Sequence, residues 1–600
     1  MQPNYQTLEI RIPKDIDTHM MGVDGQPFPP PLIVPQETAM SRSTRSLVLL
    51  ICLACAGPLL ADAPPHGVAT PHPLATEVAL EVLSRGGNAF DAAVAVGAAL
   101  AVVEPYGSGL GGGGFWLLHE AATGRQVMVD ARERAPLAAD ADMFLDDEGE
   151  VDRDRVMNGP LAAAIPGTPA ALDHIVREYG ALPLTTLLEP AIRLAREGFP
   201  VDPVYERLTS FRRDTLRAWP ASAAVFLDDG EVPEEGFVIH QPDLALTLER
   251  LADSGRDGFY RGPVAERLVE AVSEAGGIWT QEDLASYQVV EREPISFDYR
   301  GMRVVSAPPP SSGGIALAQA MQMMERFDLE AMDEADRLHH GVEAMRLAYH
   351  DRARYLGDVD FVQVPVERLI DPRYAAGLAA TVHPGRVRPS EQLPGPAGLR
   401  GGEDTTHFSI IDAQGNRVSA TLSLNYPFGS GFMPAGTGVV LNNHMDDFTA
   451  APGTPNAYGL IQSSANRIEP GKRMLSSMSP TFLEMDDRVA ALGTPGGSRI
   501  ITMVLLSALD FHAGGGADRL VSSPRHHHQY LPDYIEYEPD AFSDELKAQL
   551  EAYGHVLEAR SRPWGNLQAV VVETDGRFEA AADPRGVGTH SATGLLHPGE

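Results

Sequence analysis

Only two cysteines occur in 600 residues, Cys52 and Cys55, and both sit in a short apolar run near the N-terminus. Without that run no thiol remains, which excludes a disulfide framework, a cysteine nucleophile and a thiolate metal site. Basic residues are scarce as well: 47 Lys and Arg stand against 82 Asp and Glu, a formal net charge of −35. Phosphate binding needs clustered cations, so a nucleic-acid or anionic-membrane partner is excluded and the acidic balance reads as a solvated surface. No apolar run is long enough to cross a bilayer comfortably, since the stretch before Val103 is bracketed by Asp91 and Glu104. The common catalytic signatures are missing too. There is no G-x-S-x-G elbow, no Gly-Lys-Ser/Thr follows Gly111 to Gly114, and Thr123 stands where a zinc-protease pattern begun by His119-Glu120 needs a second His.

The hydrophobic fraction of 44% is ample for a buried core in one large or two medium domains. Residues 40–63 carry Arg42 and Arg45, an apolar run from Leu47 and a small-x-small ending at Ala61-Asp62-Ala63. That pattern is a Sec-type signal peptide, with a retained anchor as the alternative, and it places the mature protein in the periplasm or outside the cell. Residues 1–39 make little sense upstream of such a signal, so translation is expected to start at Met40. Downstream, an amphipathic helix ends at Gly86-Gly87-Asn88, and a second helix from about Phe90 to Val103 is apolar all round and therefore buried. Glycine-rich Gly111 to Gly114 reads as a tight turn into a strand, and helical patterns dominate from about 167 to 350. The Pro/Gly-rich stretch 383–404 reads as a surface loop. After Thr405 the period changes: "TTHFSIID", "NRVSATLSLN", "GVVLNN", "RVAALGTPGG" and "NLQAVVVETDGRFEAAADP" read as strands. Three consecutive histidines, His526 to His528, cannot easily converge on one ion and read as structural or surface groups. Helices before the loop and strands after it imply a layered α/β core that needs both halves.

At the junction lies "EDTTHFSIID", 403–412, where a strand opens on two threonines. Locally, threonine is simply a good strand former. The ordered segments around it change that reading: "SGLGGGGF", "DARERAP", "GPLAAAIPGTPAAL", "PPPSSGG", "NNHMDDF", "KRMLSSMSPT", "GTPGGSRI", "PRHHHQYLPD" and "ADPRGV". Together they resemble the γ-glutamyltranspeptidase family of N-terminal-nucleophile hydrolases, from about Pro71 to Gly594. The resemblance implies an α+β fold, a four-layer αββα sandwich of two antiparallel sheets between helices. It also implies a precursor that cuts itself between Asp404 and Thr405 into a large subunit, 64–404, and a small subunit, 405–600.

By the same resemblance Thr405 is the nucleophile, its freed α-amine the base, and Ser423 the hydroxyl that orients that amine where the family has a threonine. Gly496 and Gly497 match the oxyanion-hole pair. Arg132, Ser476 and Ser477 match carboxylate-binding positions, Asn425 and Asp447 ammonium-binding positions, and Tyr458 a lid tyrosine. His444 departs from the family's Gln or Glu; a neutral imidazole still accepts one hydrogen bond, whereas protonation below about pH 6.5 would set a cation beside the substrate ammonium. The implied substrates are glutathione and other γ-glutamyl compounds, with water, amino acids or short peptides as acceptors, and no metal or organic cofactor is required. A glutaryl-type acylase of the same family and a non-catalytic periplasmic binding protein are the rival readings.

Overall fold

The computed structural model describes residues 64–393, 405–451 and 453–596. The expected signal peptide, the 1–39 extension and Asp404 lie outside them. Two antiparallel sheets form the centre. The first has seven strands, ordered edge to edge as Thr589–Thr593, His66–Thr70, Thr406–Ile411, Arg417–Ser423, Gly113–Glu120, Arg125–Ala131 and Val290–Arg292. The second has six, ordered Phe578–Ala582, Gln568–Val572, Arg488–Gly493, Thr481–Met485, Met302–Ser306 and Ile295–Tyr299. Both sheets mix strands from before and after residue 405, so a chain break there leaves each sheet intact.

Alternation assigns the faces. Trp116, Leu118, Phe408 and Ile410 pack outward on the helices Pro73–Ser84, Ala89–Val103 and Thr168–Tyr179. Phe115, Leu117 and Ile411 turn the other way, into a cluster with Phe482, Ala491, Val570 and the helices Gly313–Met324 and Ile500–His512. The layers are thus helix, sheet, sheet, helix. The all-apolar helix Ala89–Val103 is buried along its whole length and starts on a capping box, Asn88 Oδ1 accepting from the Asp91 N–H at 2.9 Å and Asp91 Oδ2 from the Asn88 N–H at 2.9 Å. Gly97 lets this helix approach the sheet, because a Cβ there would lie 2.7 Å from Trp116 Cη2.

A polar seam runs between the sheets beside Thr406. Ser419 Oγ donates to Leu492 O at 2.9 Å and Ser409 Oγ to Gln568 O at 3.2 Å. His407 bridges Thr421 Oγ1 at 2.8 Å and Ser409 Oγ at 3.1 Å, and burial lowers its pKa to about 3.

Two expectations change. The helical region contains the strands Val290–Arg292, Ile295–Tyr299 and Met302–Ser306, whose hairpin turns at Arg300-Gly301 on positive φ. "GVVLNN" forms no strand: it makes an isolated bridge from Leu441 to Gly111 and then a 3-10 turn over His444–Asp447. Of the two readings of the histidine run, structural or surface, buried His527 and His528 fit the structural one.

Candidate active site

Thr405 stands at the open end of the strand Thr406–Ile411, and its partner strand ends on Ser423. Register therefore brings the two hydroxyls together, Thr405 Oγ1 lying 3.2 Å from Ser423 Oγ. The Asn425 N–H donates to Ser423 Oγ at 2.7 Å, which fixes that hydroxyl. The glycine-rich turn supports this corner from behind: a Cβ on Gly112 would lie 3.0 Å from the Ser423 carbonyl carbon, and one on Gly111 2.8 Å from that of Val440. The glycines are therefore required by close backbone approach.

Two cavities meet at Thr405. The smaller, about 20 Å³, is lined by Arg132, Arg352, Asn425, His444, Asp447, Tyr458, Ser476, Ser477 and Gly497 with Ser423. Two of its charges, Arg132 and Asp447, are already paired with each other. Fully buried Arg132 donates from Nη2 to Asp447 in a short contact, lies 3.4 Å from Glu133 through Nη1, and donates from Nε to Met474 O at 3.4 Å. Asp447 also accepts from Asn456 Nδ2 at 3.1 Å. His444 Nδ1 lies 2.8 Å from Glu133 Oε1 without hydrogen-bond alignment. Burial, with Arg132 beside it, lowers the His444 pKa despite Glu133. The imidazole therefore charges below its ordinary range.

Arg352, from the helix Glu334–Tyr355, was not anticipated. It donates from Nη2 to Ser477 Oγ at 3.2 Å and from Nε to Ser312 Oγ at 3.0 Å, while its buried Nη1 has no hydrogen-bond partner. Desolvation lowers its pKa to about 10, so it stays cationic at neutral pH. Ser476 is clamped by the "PPPSSGG" segment, its N–H donating to Pro310 O and its carbonyl accepting from the Ser312 N–H, both at 2.8 Å.

Gly496 and Gly497 have φ of 136° and 55° and open the turn that leads into the helix Ile500–His512. A helix start leaves backbone N–H groups without intrahelical partners, a ready site for developing negative charge. Tyr458 packs closely against Gly497: a Cβ there would sit 3.0 Å from Tyr458 Cγ and closer still to Cδ1 and Cε1. The tyrosine hydroxyl donates to Asn425 O, so ring and floor of the cavity are tied together.

The larger cavity, about 100 Å³, lies on the other side and is lined by Thr405, Gly496, Glu104, Arg207, Arg562 and Trp564 among others. Arg207 and Arg562 are exposed and have no ion pair among the described residues, whereas buried Trp564 has an unpartnered Nε1. Glu104 is buried, accepts from Thr406 Oγ1 at 2.6 Å, and is pushed by desolvation up to about 7.

The family model for gamma-glutamyltranspeptidase matches residues 75–593. The chain belongs to the γ-glutamyltranspeptidase family. It is 42% identical over 528 residues to the glutathione hydrolase proenzyme of Escherichia coli strain K12, covering 87% of this chain and 90% of that one. With the glutathione hydrolase proenzyme of Pseudomonas aeruginosa it shares 43% over 556 residues, 91% and 98% of the two chains. The solved cephalosporin acylase of Bacillus halodurans superposes with a TM-score of 0.78 at 28% identity, over 89% of this chain and 96% of that one. Within the family frame, the residues singled out from sequence converge on one place: Arg132, Ser423, Asn425, His444, Asp447, Tyr458, Ser476, Ser477 and Gly497 share the smaller cavity with Thr405, and Gly496 lines the larger. Arg352, Glu133, Asn456 and Glu104 join them without having carried a sequence signal.

Proposed function

We propose that this protein is a self-processing γ-glutamyltransferase and glutathione hydrolase, exported by its signal peptide and matured into two chains, 64–404 and 405–600. The observation that carries the reading is Thr405 Oγ1 beside Ser423 at the meeting of two cavities with opposite chemistry. In maturation, Thr405 Oγ adds to the Asp404 carbonyl carbon and its proton passes to the departing nitrogen, so that the C–N bond breaks and the Thr405 amine is freed; water then hydrolyses the resulting ester to the Asp404 carboxylate and the Thr405 hydroxyl. That amine, with an ordinary pKa of about 7.7–8.0, is a base suited to neutral pH. In turnover it takes the Oγ proton as Oγ bonds the γ-carbonyl carbon of a γ-glutamyl amide. The Gly496 and Gly497 N–H groups hold the oxyanion, a contribution of about 10²–10³ in rate per donor. Collapse expels the amine, which leaves with the proton from the α-ammonium. Water or a second amine then attacks the ester and regenerates Thr405.

The smaller cavity suits a zwitterionic glutamyl head. Arg132, Arg352, Ser476 and Ser477 offer donors to its carboxylate, and Asp447 with Asn425 offers acceptors to its ammonium. The larger cavity suits the departing amine, and its two unpaired arginines suit a peptide that carries a free carboxylate. The test is glutamate release from glutathione by the processed protein; its absence under conditions where processing is complete contradicts the reading.

One observation favours a second reading, the glutaryl-type acylase. His444 is turned to Glu133 and Asp447 is engaged by Arg132, which weakens the ammonium site. A glutaryl amide cleaved faster than the matching γ-glutamyl amide selects that alternative.

A further inference from the structure

We propose that the protein binds a divalent cation of the zinc type at His339, Glu343 and His555, across the boundary between its two chains. None of the three lines either cavity at Thr405. His339 and Glu343 are four residues apart on the helix Glu334–Tyr355 and so share one face. His555 follows the helix Asp544–Tyr553 and comes from the other side of the Asp404–Thr405 junction. All three are buried, and one potential ligand atom from each lies within 4.8 Å of the others.

The arrangement has the features of a metal site rather than of three unrelated side chains. His339 Nε2 donates to His383 O at 2.8 Å, which turns the lone pair of Nδ1 towards His555 Nε2, 2.9 Å away. Glu343 Oε1 accepts from Arg346 Nε at 3.0 Å. Such outer contacts orient ligands that would otherwise rotate away from an ion. Of the charges facing the cluster, Arg346 is paired with Asp533, and His528 is held neutral by burial 3.2 Å from the same Asp533. Glu343 thus brings a negative charge that Arg346 offsets only in part.

Metal bonds of about 2.0–2.1 Å would place two nitrogens 2.9 Å apart at an angle near 90°, and a tetrahedral angle needs an opening of about 0.4 Å. Two imidazoles and one carboxylate suit zinc better than calcium or magnesium, which prefer all-oxygen sets, and leave a fourth position for water. The consequence is mechanical. The mature protein has no cysteine to join its chains, and an ion held by one histidine from each side would staple them after cleavage.

The experiment uses the processed two-chain protein, stripped with EDTA and re-equilibrated with zinc chloride or cobalt chloride. Bound metal, Tm and the visible cobalt spectrum are measured for wild type, His339→Gln and His555→Gln. The proposal expects about one zinc per two-chain unit, a rise in Tm on adding zinc, and a cobalt ligand-field band, all lost in both variants. Zinc bound equally by the variants, or a wild type with no bound zinc, no Tm change and no cobalt band, overturns it. The latter result assigns the histidine pair to a single neutral hydrogen bond. Because the wild-type spectrum decides on its own, a variant that fails to fold does not rescue the idea, and because no readout is activity, the result is independent of the proposed catalysis.

Discussion

Replacing Gly497 with alanine tests the catalytic corner with a single methyl group. The added Cβ would lie 3.0 Å from Tyr458 Cγ, and nearer to Cδ1 and Cε1, where ordinary contact begins at 3.4 Å. Relief requires the ring to retreat by about an ångström, since carbon pairs settle at about 3.5–4.0 Å. That retreat breaks the hydroxyl's bond to Asn425 O, and Asn425 holds Ser423 beside Thr405. A φ of 55° adds strain of about 1–2 kcal/mol for a residue with a Cβ. If the Gly497 N–H moves off the oxyanion, kcat falls by about 10²–10³, or roughly 3–4 kcal/mol in the barrier. The assay is kcat for glutathione hydrolysis with the Tm recorded alongside. Gly276→Ala is the control: its φ is 90° but nothing lies within 4 Å, so it loses stability alone. A Gly497→Ala protein with kcat within threefold of wild type refutes the assignment of this backbone to the oxyanion.

Other consequences follow from the same geometry. Arg352→Gln removes a buried cation from Ser477 and Ser312, so KM for γ-glutamyl donors rises about tenfold or more with a smaller change in kcat, charge-assisted bonds being worth about 1.5–3 kcal/mol; an unchanged KM contradicts it. Arg207→Gln with Arg562→Gln lowers kcat/KM for glutathione several-fold but spares a γ-glutamyl anilide whose leaving group is uncharged, the two arginines being exposed and each worth about 1 kcal/mol at most. Equal losses on both substrates argue against a carboxylate seat. Glu104 has a folded pKa near 7, above its unfolded value, so the native state binds the extra proton and stability declines as pH rises from about 4.5 to 7. Glu104→Gln therefore gains Tm over wild type at pH 8 relative to pH 5.5, and a pH-independent difference sinks the idea. Burial holds His444 below its ordinary range, so any acid limb of donor hydrolysis that His444→Gln removes lies below pH 6.5; a limb at or above pH 6.5 that disappears in the variant shows that His444 titrates in the ordinary range.

Much of the site was legible because its residues lie in ordered motifs that each hold a fixed place in the fold. What escaped was set by long-range packing. Arg352 sits in "YHDRARY", which reads as a solvated helical face until the "PPPSSGG" and "KRMLSSMSPT" segments close over it. Glu133 is adjacent to Arg132 in sequence, yet its proximity to His444 depends on a strand end and a 3-10 turn more than 300 residues apart. The hairpin Ile295–Ser306 does alternate, buried with exposed, over Ile295–Tyr299, but it is short and enclosed by helical sequence. "GVVLNN" carries β-branched residues and still forms no strand, because Gly436 and Gly438 hold positive φ and the segment is committed to the floor beneath Ser423. Propensity there yields to the backbone contacts of Gly111 and Asn442.

The most direct measurement is intact mass spectrometry with N-terminal sequencing of the purified protein, incubated with and without glutathione, beside Thr405→Ala. Two chains with a new N-terminus at Thr405, a transient glutamyl adduct on the smaller chain and free glutamate, all absent in Thr405→Ala, are the predicted result. A single uncut chain in the wild type, or cleavage that persists in Thr405→Ala, contradicts the claim that Thr405 processes the precursor and carries the acyl group.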